Sequence, residues 1–153
     1  MARYHIPEKA VRDMGFRSKL EMIVNKQLND MGVTFSYEGP LNVIRYVKPE
    51  THHKYLADFL LSNGIIIEAK GMFTLEDRKK HLYIKEQYPH LDIRFLFMGA
   101  KNKISKGSKT TYADWCDKHG FKWSDKVVPQ EWIDEVKPAA ELQAIIDTLK
   151  GMK

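Results

Sequence analysis

The means to form a disulfide, cross a membrane or cradle a nucleotide are all missing from this chain of 153 residues. A single cysteine, Cys116, leaves no internal disulfide and no cysteine-rich zinc site, so a reducing, cytoplasmic setting is expected. No apolar run approaches the roughly eighteen residues that a membrane span needs. The start, MARYHIPEKAVRDMG, mixes charges and has no apolar signal core, so export is not expected. No glycine-rich phosphate loop is found, so no nucleotide cofactor is expected. Internal repeats and low-complexity segments are absent too.

What remains is an ordinary globular composition. The apolar fraction of 43% and the length suit one compact domain with a real core. The net charge of +5 favours anionic partners such as nucleic acid, without naming one.

Residues 1–15 have little apolar periodicity and a mild basic excess from Arg3, Lys9 and Arg12, which predicts a flexible basic arm. From 16 to 153 the pattern is that of a single folded unit. Leu20, Ile23, Val24, Leu28 and Met31 recur at helical spacing, predicting a helix over about 17–31, with Ser18 and Glu21 as a capping box. VTFSYE alternates like a strand, whereas GPLNVIRYVKPETHHK (39–54) carries two prolines and a short apolar middle, Val43 to Val47, and reads as an extended connector with room for a short strand of its own. A hairpin is expected at 55–61 and 65–70, then a helix at 75–88 and a buried strand at 92–98. GAKNKISKGSKT reads as an exposed loop, TYADWCDKHG as a short helix closed by Gly120, and FKW as a brief strand. Pro129 opens a helical turn, and 138–149 is amphipathic. Strands in the middle with helices on both sides predict an α+β or α/β fold with a mixed sheet.

The hairpin DFLLSNGIIIEAKG poses the chemical question, because Asp58, Glu68 and Lys70 interrupt an otherwise apolar pair of strands. A two-residue Asn63-Gly64 loop would turn Glu68 away from Asp58. A three-residue loop, Ser62-Asn63-Gly64, sets Leu61 against Ile65 and Asp58 against Glu68, gathering all three charges on one face. The three-residue loop is the expected one. Adjacent carboxylates repel unless a cation joins them, and oxygen ligands of this kind suit Mg²⁺ or Mn²⁺. Charge types alone favour a cross-strand salt bridge on a solvated sheet face, worth about 0–1 kcal/mol, over a metal site. The full order, Asp, nine residues, Glu-x-Lys on paired strands, is the (D/E)-x-K nuclease arrangement.

Beyond that pattern, FRSKLE (16–21), ADFLLSNGIIIEAKG (57–71), DRKKHLYIKEQYPHLDIR (77–94), KGSKTTYADWCDKHG (106–120) and PQEWI (129–133) occur in an order and spacing that resemble the phage endonuclease I family, the Holliday-junction resolvases of short-tailed lytic phages. The resemblance implies a restriction-endonuclease-like mixed central sheet flanked by helices. It implies Glu21, Asp58, Glu68 and Lys70 as catalytic residues, with metal held by Asp58 and Glu68 and a second ion placed with help from Glu21. It implies two Mg²⁺ or Mn²⁺ ions per site, 5′-phosphate products, branched DNA (four-way junctions above all) as substrate, and action in the host cytoplasm. It also implies a domain-swapped homodimer, with 39–50 as the bridge and Glu21 of one chain completing the site of the other. Three features depart from the family: Ala57 stands where a proline often precedes the aspartate, the bridge is slightly longer, and the tail is amphipathic instead of strongly basic. Alternatives from the residues alone are a monomeric nuclease for linear or mismatched duplex and a non-catalytic junction binder.

Among basic residues, Arg17 and Lys19 flank the helix start, and Arg78, Lys79 and Lys80 follow the hairpin. Lys101, Lys103, Lys106 and Lys109 lie in the 99–110 loop. All nine are candidate phosphate contacts, which position DNA without reading its sequence. His52, His53, His81, His90 and His119 lack metal-ligand spacing and are expected to be structural or solvated, and Trp115, Trp123 and Trp132 are expected in the core.

Overall fold

A computed structural model describes residues 6–48 and 51–152 of the chain. Arg3 of the expected arm, and Pro49 and Glu50 of the expected bridge, lie outside the described residues.

The first long helix, α2 (Lys19–Asp30), begins where Ser18 Oγ accepts the Glu21 backbone N–H. Its stripe of Leu20, Val24 and Leu28 is buried. Ahead of it lies α1 (Glu8–Asp13), a correction to the flexible arm expected over 1–15. One buried side chain, Val11, anchors that short helix, too little to register as a period in the sequence.

Five strands build a mixed sheet in the order β1 (Phe35–Tyr37), β4 (Phe59–Leu61), β5 (Ile65–Lys70), β6 (Asp92–Phe97), β7 (Trp123–Asp125). The first three are antiparallel neighbours, and β5–β6 and β6–β7 are parallel. The crossover from β5 to β6 is α3 (Leu75–Gln87), started by a reciprocal Thr74–Asp77 capping box, and that from β6 to β7 contains α4 (Tyr112–His119). The chain ends with α5 (Gln130–Asp134) and α6 (Ala139–Gly151). The architecture is mixed α+β, as the sequence pattern predicts.

Alternation along the strands divides the core in two. Phe59, Leu61, Ile65, Ile67 and Ala69 pack with α2 on one face, while Leu60 and Ile66 join Phe73, Ile84, Phe95 and Phe97 on the other. Asp58, Glu68 and Lys70 have the parity of this second face. On the α2 side, Arg94 is fully buried, ion-paired to Asp92 at 2.6 Å and to Glu135, and its guanidinium lies over the Trp132 ring. Lys137 reaches the same two carboxylates, so the segment after α5 is tied to the start of β6.

The connector carries the short strand its apolar middle allows: a 3-10 turn at Pro40–Asn42 leads into β2 (Val43–Lys48), which pairs antiparallel with β3 (Thr51–Leu56) in a second, two-stranded sheet. One further expectation needs correction: the strand expected over 55–61 is broken, because the chain leaves β3 at Leu56 and enters β4 at Phe59. Trp115 and Trp132 are buried as expected, but Trp123 is half-buried and donates its indole N–H to Asp117.

Candidate active site

The break between β3 and β4 is what positions Asp58. Asn42, itself buried, clamps it by donating from Nδ2 to the carbonyls of Ala57 and Asp58, at 2.8 and 3.1 Å. The Ala57 N–H returns a bond to Asn42 O, and the Glu38 N–H donates to Asp58 O. With the main chain fixed on both sides, the Asp58 side chain turns toward β5, where Oδ2 accepts the Ala69 N–H at 2.9 Å.

Gly64 sets the register. Its φ of +84° lets the Ser62-Asn63-Gly64 loop close with a Gly64 N–H to Leu61 O bond, and a side chain there would strike Leu142. Phe59 then pairs with Ile67 and Leu60 with Ile66, so continuing the ladder sets Leu61 against Ile65 and Asp58 against Glu68. This is the three-residue loop that the sequence predicts.

Both carboxylates are buried. Burial, reinforced by the charge of Glu68, pushes Asp58 up to about 8. Burial also raises Glu68, against the opposing pull of Lys70 and Lys80. The Lys70 ammonium lies 3.3 Å from Glu68 Oε1 and 3.1 Å from Asp77 Oδ1. Burial alone would lower its pKa, but those two carboxylates outweigh it and hold Lys70 above the usual lysine range. Lys80, 3.8 Å from Asp77, is lowered by burial and by its neighbour Lys70. Glu68 Oε2 is buried with no hydrogen-bond partner among the described residues.

Glu21 reaches the same place from α2. Its carboxylate accepts the Arg17 N–H at 3.1 Å and the Tyr37 hydroxyl at 2.5 Å. The capping box is therefore only half made: Ser18 caps Glu21, but Glu21 answers one residue earlier, at Arg17, and keeps its carboxylate in the site. Carboxylate oxygens of Glu21, Glu38 and Asp58 lie within 4.8 Å of one another. All of this is assembled within one chain.

Glu38 is the site residue that sequence reasoning missed. It follows β1 and precedes Gly39-Pro40, and its own φ is +46°, a left-handed conformation in which a non-glycine residue is strained. A carboxylate at a strand end before a Gly-Pro turn was the available signal. The Arg17 guanidinium lies 2.5 Å from Glu38 Oε1 and 3.3 Å from Asp58 Oδ1. It thus supplies part of the positive charge that three clustered carboxylates require.

The cavity bounded by Arg17, Glu21, Tyr55, Asp58, Glu68, Lys70 and Lys80 is about 440 Å³. Its donor set fits a hard divalent cation: clustered carboxylates, an orphaned buried oxygen on Glu68, and an aspartate that burial makes reluctant to ionise without a cation.

The remaining candidates divide by position. Lys79 is exposed, as are Lys19, Lys101, Lys103, Lys106 and Lys109. Arg78 is a correction: it is buried, and its Nη1 donates to the carbonyls of Phe73 and Ile104, so it holds the base of the 99–110 loop and is not presented to a ligand. His81 is buried among Tyr55, Phe95 and Phe121.

The family described as phage endonuclease I matches residues 1–153. The chain belongs to the phage endonuclease I family. It is 50% identical over 130 residues to Endonuclease I of Escherichia phage T7, covering 84% of this chain and 86% of that relative. It is 46% identical over 145 residues to Endodeoxyribonuclease 1 of Enterobacteria phage T3, covering 95% and 93%. Asp58, in the break before β4, and Glu68 and Lys70, on β5, thus line one cavity of this family member together with Glu21, and Glu38 clusters with Asp58 and Glu21.

Proposed function

We propose that this endodeoxyribonuclease resolves four-way junctions and other branched DNA by divalent-metal-dependent hydrolysis, acting as a homodimer in the host cytoplasm. The observation that carries the chemistry is the buried Asp58–Glu68 pair, with Lys70 against Glu68 Oε1 and the carboxylates of Glu21 and Glu38 at the cavity edge. Asp58 and Glu68 would hold one Mg²⁺ or Mn²⁺, and Glu21, Glu38 and Asp58 would hold a second. Such ions polarise the phosphate and lower the pKa of a bound water.

The chain's own groups do the rest. Lys70, kept protonated by Glu68 and Asp77, stabilises charge growing on the scissile phosphate. Arg17 and Lys80, at the cavity wall, take the flanking phosphate oxygens. Water attacks phosphorus in line and gives up a proton to solvent, the bond from phosphorus to the 3′ oxygen breaks, and that oxygen takes up a proton from solvent, leaving a 3′-hydroxyl and a 5′-phosphate. Lys19, Lys79 and the lysines of the 99–110 loop contact backbone phosphates farther out, which suits recognition of branched shape over sequence.

Dimerisation would run through 39–50, with β2 of one copy pairing with β3 of the other in the register that sets Val43 against Leu56 and Lys48 against Thr51. It would also exchange α1, α2 and β1, so that Glu21 of one copy meets Asp58, Glu68 and Lys70 of the other. Mixing Glu21→Ala with Glu68→Ala protein tests this: an exchanged dimer rebuilds one intact site and recovers cleavage, whereas an unexchanged one does not.

Cleavage of a labelled four-way junction against the matching linear duplex, with Mg²⁺ and with EDTA, tests the whole reading. Metal-dependent cutting of the junction, lost in Glu68→Ala, is expected. Equal cutting of both DNAs would remove junction selectivity, and junction binding without cutting under any metal would remove the hydrolytic mechanism.

A further inference from the structure

Tyr55 stands on β3, opposite Ile44 of β2, and lines the same cavity as Asp58 and Glu68. Its ring is held from two sides. His81 meets it edge-on with centroids 5.3 Å apart, and the Lys80 ammonium lies 4.5 Å over its face. A ring so fixed cannot swing its hydroxyl into solvent. The hydroxyl oxygen is nevertheless fully buried with no hydrogen-bond partner among the described residues.

Buried hydroxyls are rarely left unpaired, and an exception calls for a cause. Glu68 Oε2, on the same cavity, is a buried acceptor without a donor, and both ring nitrogens of His81, beside Tyr55, are likewise unpaired among the described residues. Burial raises the Tyr55 pKa well above its usual value, and Glu68 is the charge that adds most to the rise, followed by Asp58. Tyr55 and Glu68 line one cavity and are of complementary kind, a hydroxyl that can donate and a carboxylate oxygen that can accept.

We propose that Tyr55 is a positioning residue for Glu68: its hydroxyl donates to Glu68 Oε2 through one bridging water and fixes the carboxylate while Lys70 holds Oε1. Outer partners of this kind orient metal-binding carboxylates, and their loss typically costs about 10–100-fold in metal affinity or activity. The tyrosine passes no proton and touches no substrate. The inference rests on the metal-binding role of Glu68 proposed above.

Tyr55→Phe tests it, because it removes one oxygen and keeps the ring on His81 and under Lys80. The full-length protein is titrated with Mn²⁺ by calorimetry, single-turnover cleavage is measured, and melting is followed in EDTA. The expected result is a Mn²⁺ affinity and a kcat each lower by about tenfold, a KM for DNA within about twofold, and an unchanged or higher Tm. Mn²⁺ affinity and kcat both equal to wild type would overturn the proposal. So would a kcat loss matched by a lower Tm in EDTA, which is the signature of a merely structural tyrosine. If wild type bound Mn²⁺ but cleaved no DNA, the nuclease mechanism would fall, and the calorimetric comparison would still decide the role of Tyr55.

Discussion

Asp58 lies one residue before Phe59 of β4, and Glu68 one residue beyond Ile67, the β5 partner of Phe59, so the two carboxylates continue the β4–β5 register, and each is only 3% exposed. Two buried carboxylates in register oppose folding unless a cation or a proton joins them. Asp58 titrates at about 8 when folded because burial and Glu68 disfavour its charge, against 3.8 as its ordinary value. A raised carboxyl pKa means that the folded state holds its proton longer than the unfolded one. Stability from this group is thus fully present below about 4 and is lost as pH rises toward 8. Asp58→Asn removes that loss. In EDTA its Tm should exceed wild type by several degrees at pH 8, on the order of 1–3 kcal/mol, and the gap should shrink toward pH 5. His81, held neutral by burial, shifts both proteins alike and cancels in the difference. A gap that is constant or widens toward low pH contradicts the assigned cause.

Lys70 bridges Glu68 and Asp77, at 3.3 and 3.1 Å. Replacing it with methionine keeps most of the volume and removes the charge. Single-turnover cleavage should fall by about 10²–10³-fold, while binding to a four-way junction in EDTA changes far less. Parallel losses of binding and cleavage would make Lys70 a docking residue instead.

Glu38 adds a prediction that sequence spacing does not suggest. Glu38→Gln keeps size and removes charge, and should lower cleavage by about tenfold or more at fixed Mg²⁺, with partial recovery at higher Mg²⁺. Glu38→Gly suits the left-handed backbone at φ +46°, so it should melt no lower than Glu38→Gln while cleaving equally poorly. Full activity in either variant would place Glu38 outside the metal shell.

Arg78 and the loop lysines should separate cleanly. Arg78→Ala leaves the Phe73 and Ile104 carbonyls without their donor and should destabilise the fold by about 1–3 kcal/mol. Lys101→Ala with Lys106→Ala should leave Tm unchanged, weaken DNA binding, and flatten its dependence on salt, since a protein that neutralises fewer phosphates releases fewer counterions. Thermal melts and salt-dependent gel shifts check both.

Much of this site is legible in the sequence because it follows from local rules. The Ser62-Asn63-Gly64 loop fixes the hairpin register, and strand alternation then brings Asp58, Glu68 and Lys70 to one face. Helix α3 announces itself through Thr74 and Asp77, and α4 through Thr111, Asp114 and Gly120. What the sequence hides is long-range. Asn42 bends the chain between β3 and β4 by bonds across fifteen residues or more, with no periodic trace. Glu38 joins Asp58 only because β1 pairs with β4. Arg78 looks like its neighbours Lys79 and Lys80, and only the packing of the 99–110 loop over it shows that its guanidinium is already occupied. Helix α1 rests on one buried valine.

Anomalous diffraction at the manganese edge, from crystals of wild type and of Asp58→Asn soaked in Mn²⁺, tests the central claim most directly. The account predicts density within about 2.2 Å of carboxylate oxygens of Asp58 and Glu68 in wild type. A second peak is expected beside Glu21 and Glu38, with both weakened or gone in Asp58→Asn. Wild-type crystals that cleave DNA when dissolved in Mn²⁺, yet show no manganese between Asp58 and Glu68, would contradict it.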